Sequence, residues 1–124
     1  MESFVLPLQL RWSDLDPNFH LRHSVYYDWA ALSRISFLEG RGLTPAMMQR
    51  LQFGPILFRE ECVFSKEIKY GDQVTINLKL IKGKKDYSRW TIQHEIKKNS
   101  NIFCAAVTVD GARMHVAERR LFIP

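Results

Sequence analysis

The sequence predicts an α+β domain, an antiparallel five-stranded sheet packed with one long helix. Three observations carry this. Residues 4 to 12 alternate apolar and polar with the period of a half-buried strand. Residues 22 to 39 contain neither Pro nor Gly and are rich in large apolar side chains. Four further strand-like segments then follow one another through short turns, which excludes parallel βαβ crossovers. At 124 residues the chain is one domain, 1–124, long enough to bury a core.

Taken in order, Phe4, Leu6, Leu8, Leu10 and Trp12 fall on one side of the first strand, which ends in the turn formers Ser13-Asp14-Leu15-Asp16-Pro17-Asn18. On a helical wheel the apolar residues between Val25 and Leu38 cover nearly every direction, so the helix is expected to be buried on most faces. About 18 residues give a rod of roughly 27 Å. Gly40 and Gly42 suit its C-cap. Thr44 and Pro45 open a short second helix reaching about Gln52. Strands follow over 56 to 70, 74 to 80, 89 to 96 and 102 to 109, with turns expected at Tyr70-Gly71-Asp72, at 98 to 101 and at Asp110-Gly111. Such a sheet leaves open edges, so a homodimer or homotetramer is expected.

The formal charge is +5, which directs attention to anionic partners. Nucleic acid is set aside because the basic residues are dispersed and the one dense group, Lys82-Gly83-Lys84-Lys85, has no interleaved aromatics. A phosphorylated small ligand or an acidic carrier protein suits the same charge. No apolar run approaches a membrane span and the N-terminus has no signal-peptide pattern, so a cytoplasmic protein without a membrane partner is expected. Cys62 and Cys104, far apart and without metal-ligand spacing, read as buried small residues; neither a metal nor a resident cofactor is expected. His94 and His115 read as structural.

One segment holds more chemistry than a strand-to-helix loop needs: Asp14, Asp16, Asn18, His20, Arg22 and His23. Each alone could serve as a helix cap. Together they stand where the long helix begins and its free N–H groups favour developing negative charge.

The run from Arg11 to His20, with Asp16-Pro17-Asn18-Phe19-His20 at its centre, followed by Tyr26 and Trp29, resembles the signature of hotdog-fold thioesterases. It is similar to the 4-hydroxybenzoyl-CoA thioesterase family and to the N-terminal half of plant acyl-ACP thioesterases, which share an Asp-x-Asn-x-His pattern. Tyr70-Gly71-Asp72 and Phe58-Arg59-Glu60-Glu61-Cys62 match further landmarks. Many relatives read His-Val-Asn-Asn where this chain has His20-Leu21-Arg22-His23. The resemblance implies a sheet wrapped around a long central helix and hydrolysis of an acyl thioester of CoA or acyl carrier protein. By it Asp16 is the base or nucleophile, and Asn18 and His20 position water or substrate. Glu61 is a second carboxylate, and the His23 amide donates to the oxyanion. Arg22, Tyr26, Lys84 and Lys85 are the expected substrate contacts, and the CoA or phosphopantetheine arm belongs to the substrate. An enoyl-thioester hydratase of the same fold requires Asp and His five apart, and here Asp16 and His20 are four apart. A non-catalytic acyl-thioester-binding module has no need of the carboxylate.

Overall fold

The computed structural model describes residues 4–83, 88–115 and 120–121. Strands β1 (Phe4–Leu8), β2 (Phe53–Phe64), β3 (Val74–Gly83), β4 (Arg89–Lys98) and β5 (Ile102–His115) form one antiparallel sheet. Their order is β1-β3-β4-β5-β2, and a two-residue β6 (Arg120–Leu121) pairs with the end of β5. Two helices, α1 (His23–Gly40) and α2 (Pro45–Leu51), connect β1 to β2. The first and last strands of the path, β1 and β2, are its edges.

The alternation of β3 and β4 sorts their side chains onto two faces. Val74, Ile76 and Leu78 point toward α1 with Ile96, Val107 and Val109, and all six are buried. On the other face Asn77 accepts the Glu95 N–H through Oδ1 at 2.6 Å, and Lys79 pairs with Glu95 at 2.7 Å. His94 stands on the apolar face with no exposed surface, as its place in the alternation predicts. Arginine has only donors, so the contact of Arg34 with His94 Nε2 at 3.2 Å makes that nitrogen an acceptor. The proton is then on Nδ1, which donates to the Asn77 carbonyl at 2.9 Å. Burial lowers the His94 pKa to about 4, so the ring is neutral at pH 7.

Helix α1 has the 18-residue length expected but lies one position later, from His23 to Gly40, and seats Val25, Tyr26, Trp29, Ala30 and Ser33 against the sheet. The expectation of burial on most faces is corrected: Leu32 is 46% exposed and Ala31 also faces outward. A helix on one face of a single sheet has one covered side, whatever its composition. The helix closes with a Schellman arrangement, in which the Gly42 N–H reaches the Glu39 carbonyl and the Leu43 N–H reaches Leu38. Gly42 supplies the positive φ of 87° that this ending requires. In α2 the Thr44 hydroxyl accepts the Met47 N–H, as the Thr-Pro start predicts.

Three local readings are corrected. The first strand stops at Leu8, and Trp12 sits 66% exposed in a 3-10 turn because Arg11 and Asp14 pull the chain out of line. The strand expected over 56 to 70 is β2 over Phe53–Phe64, after which Ser65 and Lys66 donate to the Cys104 carbonyl. Asp110-Gly111 is not a turn, since β5 runs through it. Asp110 accepts from the Thr91 hydroxyl at 2.6 Å, and Gly111 leaves room for the Trp90 ring. Cys104 is buried and Cys62 half-buried, both as free thiols; burial pushes Cys62 up to about 11 and also raises Cys104. The side chain of His115 lies outside the described residues.

Candidate active site

Between β1 and α1 the chain folds into a braced loop. Asp14 is 1% exposed and accepts from three Arg11 groups, the backbone N–H at 2.9 Å, Nη2 at 2.8 Å and Nε at 3.2 Å. The Arg11 guanidinium holds this carboxyl below its ordinary pKa. The Asp14 carbonyl in turn accepts the Arg22 N–H at 2.8 Å, so the two ends of the loop are tied. Asp14, grouped by sequence with the chemical residues, is a structural brace.

Inside the loop, Asp16 organises its own turn. Its N–H donates to the His20 carbonyl at 2.8 Å, and its carbonyl accepts from Phe19 at 2.9 Å. One carboxylate oxygen, Oδ1, accepts the N–H groups of Asn18 at 2.8 Å and His20 at 3.1 Å. The other, Oδ2, has no hydrogen-bond partner among the described residues. Phe19 takes a φ of +65°, an unfavourable region for a bulky residue, to close this turn. The Asn18 side chain is exposed. The His20 ring is held at its far nitrogen, Nε2, by Glu67 at 3.3 Å.

Helix α1 starts directly after this turn. Arg22, its extended N-cap residue, is exposed and supplies no side-chain cap. The first amides of α1, beginning with His23, therefore have no side-chain acceptor among the described residues and add to the positive end of the helix. The His23 ring lies against Phe64 of β2 at 5.0 Å, and Phe64 meets Tyr26 edge-on at 4.9 Å. Tyr26 is 3% exposed, and burial pushes its hydroxyl up to about 12, so it remains protonated.

The structure thus brings Asp16, Asn18, His20, Arg22, His23 and Tyr26 to one end of the sheet. It does not bring Glu61 there. Glu60 pairs with Arg34 on α1 and Phe64 touches His23, so beyond the bulge between Leu57 and Arg59 the even positions of β2, Glu60 to Phe64, face the helix. Glu61 points from the opposite face, paired with Arg59. Lys84 and Lys85 lie outside the described residues. Two contributors were not foreseen. Glu67 reaches His20 because their two segments are bridged (His20 opposite Lys69), and Phe64 meets His23 across the contact between β2 and α1. No local pattern signals either. No group of three metal-ligating side chains converges among the described residues.

The family model of the Thioesterase-like superfamily matches residues 10–122. No curated protein matches the sequence. Among solved structures, SAV2348 from Staphylococcus aureus, determined in complex with CoA, superposes with a TM-score of 0.90 at 18% identity, over 99% of this chain and 77% of that one. Slr0204 from Synechocystis, a 1,4-dihydroxy-2-naphthoyl-CoA thioesterase, gives 0.86 at 17% identity, over 98% and 89%. A DHNA-CoA thioesterase from Staphylococcus aureus gives 0.88 at 15% identity, over 99% and 81%. The β1-α1-α2-β2 order, the five-stranded antiparallel path and the family match agree, and the chain belongs to the thioesterase-like superfamily with the hotdog fold.

Proposed function

We propose that this protein hydrolyses an acyl thioester to the free acid and thiol, with Asp16 as general base. One observation carries the reading: a carboxylate with one oxygen fixed by two amides and the other without a partner among the described residues precedes a helix start whose N-cap residue gives no side-chain cap. Asp16 Oδ2 takes a proton from water as the water oxygen attacks the thioester carbonyl carbon. The carbonyl oxygen becomes the oxyanion and accepts from the His23 N–H; such a donor is typically worth about 10²- to 10³-fold. Collapse of the tetrahedral intermediate breaks the C–S bond. The thiolate leaves without an acid, since its conjugate acid has a pKa near that of cysteine, about 8.5. Asn18 and His20, the latter oriented by Glu67, hold the water and the substrate carbonyl.

The CoA-bound and CoA-thioesterase neighbours support CoA as the thiol, with carrier-linked acyl groups as the second class to test. Arg22, exposed beside the helix start, and Lys84 and Lys85 offer cations to its phosphates. Tyr26 forms part of the wall beside the acyl group. Glu61 is assigned no step, given its side of the sheet.

We further propose a homodimer or homotetramer, with β2 as the joining edge and the outward side of α1 covered in the assembly. The edge strand carries exposed Phe58, Val63 and Phe64, and its outer side has no strand neighbour among the described residues.

The test is thiol release from acyl-CoAs of graded length and from carrier-linked acyl groups, wild type beside Asp16→Asn. Asparagine keeps Oδ1 as acceptor for Asn18 and His20, so the turn survives while the base is lost. A fall of at least about 10²-fold is expected. Near-wild-type turnover by the variant overturns the role of Asp16, and no release from any thioester overturns the function.

A further inference from the structure

At the start of α1 the polar loop of Asp16, Asn18 and His20 lies on one side, and on the other α1 meets β2 along a seam. The seam opens between His23 and Phe64, with ring centroids 5.0 Å apart, and Phe64 is 46% exposed at its mouth. Tyr26 and Cys62 follow along it, and Ala30 leaves little side chain on the helix side. Two turns further on, the seam meets charge. Arg34 Nη2 stands 3.6 Å from Glu60 Oε2, and the two side chains are 14% and 26% exposed. Arg34 cannot swing aside freely, because its other terminal nitrogen donates to His94 Nε2, and His94 is fixed to the Asn77 carbonyl.

We propose that the acyl group lies along this seam and that the Arg34–Glu60 pair is a charged stop across it, which restricts this protein to short acyl groups. The inference rests on the thioesterase reading and names the substrate class of that site. Phe64 and Glu60 are four residue steps apart along β2, a span of about 13 Å. A stretched sixteen-carbon chain is roughly 19 Å, from a C–C bond length of about 1.5 Å. Such a chain must either strip water from the ion pair or leave the seam, while a six-carbon chain ends before reaching it.

The experiment measures kcat/KM for hexanoyl-, decanoyl- and palmitoyl-CoA in the wild type and in Arg34→Met/Glu60→Gln, which removes both charges together. The readout is the ratio of palmitoyl to hexanoyl values. The wild-type ratio is expected at or below about 0.1, and the double variant is expected to raise it at least tenfold. An unchanged ratio in a folded variant overturns the stop and leaves the thioesterase reading intact. A wild type that turns over palmitoyl-CoA as well as hexanoyl-CoA overturns it without any variant, which covers a variant that fails to fold. Absence of hydrolysis at every length, carrier-linked substrates included, overturns both, since a stop has meaning only on an acyl path.

Discussion

Lowering the pH from 7.5 to 5.0 should cost this fold stability through one side chain. His94 has no exposed surface, and burial lowers its pKa to about 4, against about 6.5 in an unfolded chain. Between those values the unfolded state binds a proton that the folded state refuses. Stability is therefore full above the unfolded pKa and falls as the pH drops toward the folded one. With those two values the linkage relation gives a loss of about 2 kcal/mol at pH 5.0, approaching a ceiling of about 3 kcal/mol below pH 4. Protonation also takes away the acceptor of the Arg34 contact at 3.2 Å and sets two cations side by side. The assay is urea unfolding at both pH values, wild type beside His94→Gln. Carboxylates contribute to the slope in both proteins, so the informative quantity is the difference between them. The glutamine variant should be less stable at pH 7.5 and lose about 2 kcal/mol less on acidification. Equal losses in the two proteins would refute the assignment.

Other consequences can be checked alongside. A Cβ at Gly111 would lie 2.5 Å from the Trp90 ring and 2.7 Å from the Ile56 carbonyl, so Gly111→Ala should cost about 1–3 kcal/mol in thermal or urea unfolding. Gln52 ends α2 with a φ of 57°, so Gln52→Gly should raise stability by about 0.5–1 kcal/mol in the same assay. Light scattering at micromolar concentration should report a multiple of 14.6 kDa; a particle of that mass would refute assembly through β2.

Much of the fold was legible because its periods are local. The alternation of Val74, Ile76 and Leu78 gave β3 its inner face, and Thr44 with Pro45 marked the start of α2. What was not legible depends on contacts between distant segments. Asp110-Gly111 has turn composition, yet Thr91 and the Trp90 ring on the neighbouring strand hold it extended. The helical wheel of α1 counted apolar residues but could not tell that only one side meets the sheet. The candidate site divides in the same way. Asp16, Asn18, His20 and His23 lie within one short stretch and were found together. Glu60 and Glu61 are adjacent, and the bulge between Leu57 and Arg59 shifts which of them faces α1, a parity that no count from the start of the strand recovers.

The two thiols bear on how this protein can be followed in solution. A protonated, enclosed sulfur reacts slowly with thiol reagents, because the thiolate is the reactive form. Cys104 is fully covered and Cys62 is held near 11, so in the intact fold neither competes with a thiol released from substrate. Opening of the α1–β2 seam would uncover Cys62, and loss of the core would uncover Cys104. The order in which the two become labelled is thus a clock with two marks, timing the separation of the helix from the edge strand and then the collapse of the sheet.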